Sequence, residues 1–446
     1  MNNSTTTPTP WDGKIDPNTP FRGFISSPNS RGTFEIISSC FLTIFLCGWV
    51  SVCINIPAPT AGKFAMFFDK CYMFLFSLLG PDFVGALALG QYMAARESVK
   101  AFKESGYGDW TTKHAFYANM GGFVVKPEDG RIPGIDKAMI DDRNKADGLT
   151  RILTVSQILW FSASVLARPF QGLAITTLEV TTIAFIFSSL FTSFCWRDKP
   201  MDVKSAVVIE LETPLADILR EAGDLPDQVL PRYNPLDFVS QDEWIITILW
   251  HYYTNILKTI FFIKRKREWP AQKIPSFDFP SYSAQGEILS AVFVFPYLCI
   301  FFAAWNFEFP TATEKLLWCI ASVSTMIMGF VGALYEGKYS NLGCGVADIL
   351  RRWGSSFFLN SADSTGLPRP AIAQQIERFD KFLRNNSAGR VKMLEVPRRS
   401  FVVTHHLCAL YTICRIYIFV EDFMGLRVLP ASAFRTVEWN SFWPHF

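Results

Sequence analysis

The chain has 446 residues, of which half are hydrophobic, 15% aromatic and only 18% charged. Soluble domains carry nearer a quarter charged residues, and here the apolar residues are gathered into long runs, so an ordinary assembly of soluble domains is excluded and a polytopic, all-α membrane bundle remains. The net charge of +2 gives no global signal for nucleic acid, and the ten cysteines, mostly inside apolar runs and without CxxC spacing, offer neither a disulfide framework nor a metal cluster.

In chain order, residues 1–33 read as a flexible polar tail. They lack a charged start followed by an apolar core, so the first span itself serves as the targeting signal. Span 1 is predicted at 34–56, ending at Pro57 and Pro59. Span 2 is predicted at 71–95, with a break or kink where Gly80-Pro81-Asp82 interrupts it. A polar loop, 97–148, follows. Spans 3 and 4, at 152–167 and 174–196, are joined by six residues, which forces an antiparallel hairpin. A second long loop, 197–285, contains an apolar stretch at 244–263. Lys258, His251 and Asn255 interrupt that stretch, so it is read as an in-plane helix rather than an eighth span. Spans 5 and 6 fall within 286–336, a basic loop covers 337–400, and span 7 opens the segment 401–446.

The positive charges test this map. Residues 1–33, 97–148, 197–285 and 337–400 hold 33 Lys and Arg, whereas the intervening segments hold 5. By the positive-inside rule this split gives seven spans, a cytoplasmic N-terminus and a lumenal C-terminus. The sequons at Asn2, Asn3 and Asn385 then all face the cytoplasm and stay unmodified.

Ionisable residues inside apolar runs are the candidates for chemistry, because each costs roughly 2–3 kcal/mol or more in a bilayer. Glu179 lies near the start of span 4. It reads either as a buried acid able to protonate an apolar substrate or as a clasp that pairs with Arg168 or a neighbouring hydroxyl and only fixes the hairpin. Asp82 follows a helix-breaking proline near mid-membrane. It reads either as a second acid or as the cap of the second half of a broken helix. Glu35 opens span 1 at the interface. His114 is a lone loop histidine. His405-His406 point about 100° apart on a helix and make no paired metal site. Asp141-Asp142 resembles a diphosphate–Mg²⁺ motif only loosely, with Lys145 where an acid is wanted. Trp49, Trp160 and Phe161 offer π-faces to a cationic intermediate, against the plainer reading of lipid-facing or interfacial belt residues. No nucleotide-binding or HExxH motif is present.

The sequence also shows RGTFEI at 31–36, Cys47-Gly48-Trp49, Asn55-Ile56-Pro57, Pro81-Asp82, HAFYANMGGF at 114–123, Gln157 with Trp160-Phe161, Arg168, GLAITTLE at 172–179, WRDKP at 196–200 and Trp305-Asn306-Phe307. Near its end it has Leu429-Pro430 and Trp443-Pro444-His445. In this order, over nearly the whole chain, the pattern resembles fungal integral-membrane proteins that include terpene cyclases of meroterpenoid pathways, of the macrophorin and ascofuranone type. Relatives of that kind usually carry Asp at position 35, Glu at 82 and His at 53. Here Glu35 and Asp82 keep the acid, and Cys53 removes a possible base. The resemblance implies an isomerase- or lyase-type cyclase of secondary metabolism in the endoplasmic reticulum membrane. It implies protonation-initiated closure of an apolar, farnesylated or epoxidised substrate, with no metal or other cofactor. Glu179, Asp82 and Glu35 would be the catalytic acids. Trp49, Trp160, Phe161, Gln157, Arg168 and His114 would line or orient the site. A transporter and a non-enzymatic scaffold are the rival classes. Neither the substrate nor the oligomeric state can be read from the residues.

Overall fold

The computed structural model describes residues 20–22, 25, 31–57, 62, 64–126, 147–201, 203, 206–210, 274, 276, 284–336 and 398–439. The predicted in-plane helix 244–263, the Asp141-Asp142 stretch and most of the two long basic loops lie outside them.

The described chain is mostly helical. Helix α1, Thr33–Ser51, is apolar on all sides. Helix α2, Ala65–Leu79, ends at Gly80, where Pro81 opens α3, Pro81–Glu104. Proline suits a first helical position because it has no N–H to leave unpaired. The two helices meet at a bend of 118°. Helix α4, Thr112–Asn119, starts with a capping box between Thr111 and His114. Helices α5, Asp147–Phe170, and α6, Thr177–Cys195, form the predicted hairpin. Its turn uses Gly172 at φ 64, a conformation glycine adopts without steric cost. Helix α7, Ala284–Ile300, continues as a 3-10 turn over Phe301–Asn306. Helix α8, Ala312–Glu336, and helix α9, Arg398–Met424, follow. Strand β1, Pro20–Arg22, pairs antiparallel with β4, Val428–Pro430, placing Phe21 opposite Leu429. Strand β2, Phe123–Lys126, pairs in parallel with β3, Val207–Glu210.

Four stretches, Thr33–Ser51, Thr177–Cys195, Ile288–Asn306 and Ala312–Val331, are long and apolar enough to cross a membrane. The bent α2–α3 pair makes a fifth if it is counted as one span. Helix α6 is central, with 67% of its apolar window buried. Around it the outer helices expose large apolar side chains, among them Phe41, Leu159, Val292, Ile320 and Ile413. That is the surface a lipid-facing bundle needs.

Side-chain contacts fix the helix directions. At one end, Arg31 before α1 pairs with Glu179 in the first turn of α6. At the other, Ser51 bonds Ser189 at 2.5 Å. Helices α1 and α6 are therefore parallel. Helix α2 crosses the C-terminal part of α1 steeply, since Phe67 packs on Trp49 and, ten residues on, Ser77 lies against the adjacent Gly48. Helix α3 then descends with α6: Ser188 donates to the Pro81 carbonyl at 2.6 Å, and ten residues on, Gln91 accepts from Trp196. The bend of 118° makes the α2–α3 pair either a broken span or a re-entrant loop, sharper than the kink predicted within span 2. Its cause is local: Pro81 cannot continue the hydrogen-bond ladder of α2, and Gly80 at φ −145 and ψ 75 turns the chain.

The chain's two described ends meet beside the Arg168 turn: β1 pairs with β4, and the Arg31 N–H donates to the Phe434 carbonyl at 2.8 Å.

Candidate functional site

Glu179 is fully buried and fully engaged. Its Oε1 accepts from Arg31 Nη2 at 2.6 Å. Its Oε2 accepts from the Thr176 N–H at 2.8 Å and the Thr176 hydroxyl at 3.0 Å. The Thr176 hydroxyl in turn accepts from the Glu179 N–H, closing a capping box. Arg168 is not its hydrogen-bonding partner. Its guanidinium donates instead to the carbonyls of Ala174, Ser432, Ala433 and Arg435, tying the hairpin turn to the C-terminal segment.

Asp82 lies elsewhere. It sits at the level of Ser188, nine residues along α6 from Glu179, or about 13 Å at ~1.5 Å per residue. The two carboxylates therefore do not share a site. Asp82 is 5% exposed, stands in the first turn of α3, and its Oδ1 accepts from the Tyr411 hydroxyl at 2.7 Å. Arg415, one turn further along α9, donates through Nε to the Leu79 carbonyl at 3.3 Å. Its guanidinium carbon lies 4.7 Å from the Phe301 ring centroid and 5.7 Å from that of Tyr297. The broken pair explains the arrangement: the C-terminal end of α2 attracts a cation and the N-terminal start of α3 an anion. Arg415 Nη1 and Nη2 and the Tyr297 hydroxyl have no hydrogen-bond partner among the described residues. Aromatic rings enclose the centre. Phe83 meets Tyr411 edge-on at 5.1 Å, and Tyr297 meets Phe301 at 5.7 Å.

Beside this centre, between α1, α2, α3 and α6, lies a small cavity of about 20 Å³. Ser51, Ser77, Ser188, Ser189 and Thr192 contribute hydroxyls to it, with Pro81 and Val84 from the α3 tip. Val52 lines it as well, and the next carbonyl, that of Cys53, accepts from Lys199 Nζ at 3.2 Å. Lys199 also donates to Gln91 at 2.8 Å and lies 4.6 Å over Trp196. Burial pushes its ammonium below the ordinary lysine value.

The other predicted residues are dispersed. Glu35 is exposed, and so is His114, whose ring caps α4. Trp160 is 61% exposed and packs on Trp439. Trp49 packs against Phe74 and Lys70 on the outer side of α1. Phe161 is core, and Gln157 donates to Thr43 at 3.0 Å. Of the predicted constellation, only Asp82 stands in the buried aromatic centre. Sequence reasoning missed Tyr411 and Arg415. Arg415 carried a usable signal, being an arginine in the middle of an apolar run.

The fold and this centre define a helical bundle with several helices long and apolar enough to cross a membrane and with ionisable groups at its core. The chain belongs to a family of unknown function (DUF8562), whose model matches residues 13–131, 129–220 and 371–446, more than half of its length. No curated protein and no solved structure matches it.

Proposed function

We propose that this chain is an integral-membrane terpene cyclase of the endoplasmic reticulum, with six crossings and one re-entrant pair. The crossings are α1, α5, α6, α7, α8 and α9. The end holding 52–64, 97–148, 197–285 and 337–400 carries 31 Lys and Arg in those segments, against 7 in the segments at the opposite end. The basic end is cytoplasmic by the positive-inside rule, and both termini are lumenal.

The observation that carries the reading is Asp82: a buried acid at the re-entrant tip, hydrogen-bonded by Tyr411 and walled by aromatic rings. With Tyr411 occupying Oδ1, the neutral acid carries its proton on Oδ2. It delivers that proton to a terminal alkene or epoxide of a prenylated substrate, and aromatic faces stabilise the cation that forms. The acid role moves from Glu179 to Asp82, because the oxygens of Glu179 are committed to Arg31 and Thr176. A small-molecule transporter is the second reading. It is favoured by the broken helix with charged groups at its ends, an arrangement that transporters use at membrane mid-depth.

Microsomes carrying the wild type, Asp82→Asn, Tyr411→Phe or Glu179→Gln are given farnesylated phenol and epoxide substrates, and products are read by mass spectrometry. Cyclised product from wild type and Glu179→Gln, its absence with Asp82→Asn and its reduction with Tyr411→Phe are expected. Full turnover by Asp82→Asn refutes the assignment. Uptake of substrate without conversion selects the transporter.

A further inference from the structure

The lumenal end of the α6–α9 contact holds a second buried polar group that plays no part in the proposed chemistry. Asp422, in the last turn of α9, is 0% exposed, and neither of its oxygens has a hydrogen-bond partner among the described residues. It faces Thr177 and Thr181 on α6. These are one helical turn apart and so lie on one face. The Thr181 hydroxyl is itself fully buried and unpartnered among the described residues. Glu421 Oε1, also unpartnered there, lies across Gly425 from the Thr177 hydroxyl. A Cβ on that glycine would stand 3.8 Å from Glu421 Oε1 and 3.7 Å from Thr177 Oγ1.

Arg31 pairs with Glu179, Arg427 pairs with Glu314, and Arg168 holds four carbonyls. Arg415, two turns back on the same helix, acts on Asp422 through its charge but forms no hydrogen bond with it. A bare carboxylate in such a place costs several kcal/mol. The C-terminal turn of α9 adds negative potential rather than relieving it. The Thr177 and Thr181 hydroxyls and the Asp422 carboxyl present oxygen to the spot. The set contains too few carboxylates for a divalent ion, and no cluster of three or more metal-ligating side chains occurs among the described residues.

We propose that Asp422, Thr177 and Thr181 bind a monovalent alkali cation of the sodium class, with Glu421 as an outer charge. The site is independent of the cyclase reading. It is a structural or regulatory cation site at the lumenal end, on the far side of Arg415 from Asp82.

The test is a thermal-unfolding titration of the detergent-solubilised full chain with NaCl against choline chloride at constant ionic strength. A ligand that binds only the folded form raises the midpoint in a saturable way. A sodium-specific, saturable rise in the wild type, lost in both Asp422→Asn and Thr181→Val, is expected. No difference between sodium and choline in the wild type overturns the proposal and leaves Asp422 as a neutral, protonated acid. A sodium effect that survives in both variants also overturns it, placing the cation elsewhere. If either variant fails to fold, binding of radioactive sodium to the wild type decides: no saturable binding refutes the site, and binding abolished by Thr177→Val supports it.

Discussion

The sharpest separation between clasp and catalyst is at Glu179. Replacement by Gln keeps an amide oxygen for the Thr176 N–H, so the capping box survives. The new amide nitrogen then faces Arg31, donor against donor, across a contact of 2.6 Å. Removing one partner of a buried ion pair costs about 3–5 kcal/mol. Arg31 keeps 13% of its side chain exposed and is partly rehydrated, so the lower end, about 3 kcal/mol, applies. At roughly 2 °C per kcal/mol for a large chain, the unfolding midpoint falls by about 6 °C. Arg31→Met alone strands the carboxylate and costs at least as much. The double variant Arg31→Met/Glu179→Gln removes both charges, and the pair's coupling energy is about 2 kcal/mol in a double-mutant cycle. The assay is the midpoint of the four proteins in one detergent. Strictly additive losses would refute the clasp. So would an unchanged midpoint accompanied by lost turnover in Glu179→Gln, which would return the acid role to that residue.

Three further outcomes follow from the same geometry. Arg168→Gln loses charged hydrogen bonds to carbonyls on both sides of the hairpin–C-terminus contact. It destabilises the protein by about 3 kcal/mol or more and increases proteolysis of the segment after α9. Lys199, held by burial below the ordinary lysine value, binds fewer protons folded than unfolded between its lowered value and 10.5. Stability therefore rises with pH through that window, and Lys199→Met flattens the slope in thermal melts as pH rises toward 10.5. The six-crossing order places the sequons at Asn2 and Asn3 in the lumen and Asn385 in the cytoplasm. A glycosidase-sensitive mobility shift is expected, lost in Asn2→Gln/Asn3→Gln and unaffected by Asn385→Gln; the reverse pattern would restore the opposite orientation.

The helical, membrane-compatible character was legible because long apolar runs have few other uses, and the α5–α6 hairpin because its linker is short. The break at Gly80-Pro81 was legible too, since proline ends a ladder wherever it falls. What composition could not give was the size of the bend. A kink of 30° and a reversal of 118° begin with the same three residues, and only the neighbours of α2 and α3 decide between them. Within the site, Glu179 drew attention because it interrupts an apolar run. Yet an acid three residues after a threonine, as in Thr176-Thr177-Leu178-Glu179, is equally a capping box, and that local pattern prevailed. Arg168 was rightly sensed as an anchor but given the wrong partner, because backbone carbonyls leave no trace in a sequence. Tyr411 and Arg415 were hidden in an apolar run whose inward face no periodicity marks, since α9 is surrounded by apolar groups on every side.

The re-entrant tip also explains why charge is placed at the centre of this bundle. A helix broken at mid-membrane leaves the last carbonyls of α2 and the first N–H groups of α3 without ladder partners. In hydrocarbon each such group costs several kcal/mol. Arg415 meets the first need by donating to Leu79, and Asp82 sits where the free N–H groups of α3 lie. The pair therefore has a structural reason to exist before any chemical one. That reason accounts for the ionised, hydrogen-bonded parts of the centre. It does not require the second oxygen of Asp82, the Tyr411 hydroxyl against the first, or the surrounding rings. The N-cap of α3 is Gly80 and no side chain caps it, so the predicted capping role of Asp82 does not hold. The excess over what the broken helix needs, an acid held by a phenol in an aromatic enclosure, is the part that points to chemistry. It also predicts how the two roles separate. Asp82→Asn keeps an oxygen for the Tyr411 hydroxyl and the fold while abolishing turnover, whereas Arg415→Met leaves Leu79 unpaired and lowers the unfolding midpoint together with activity.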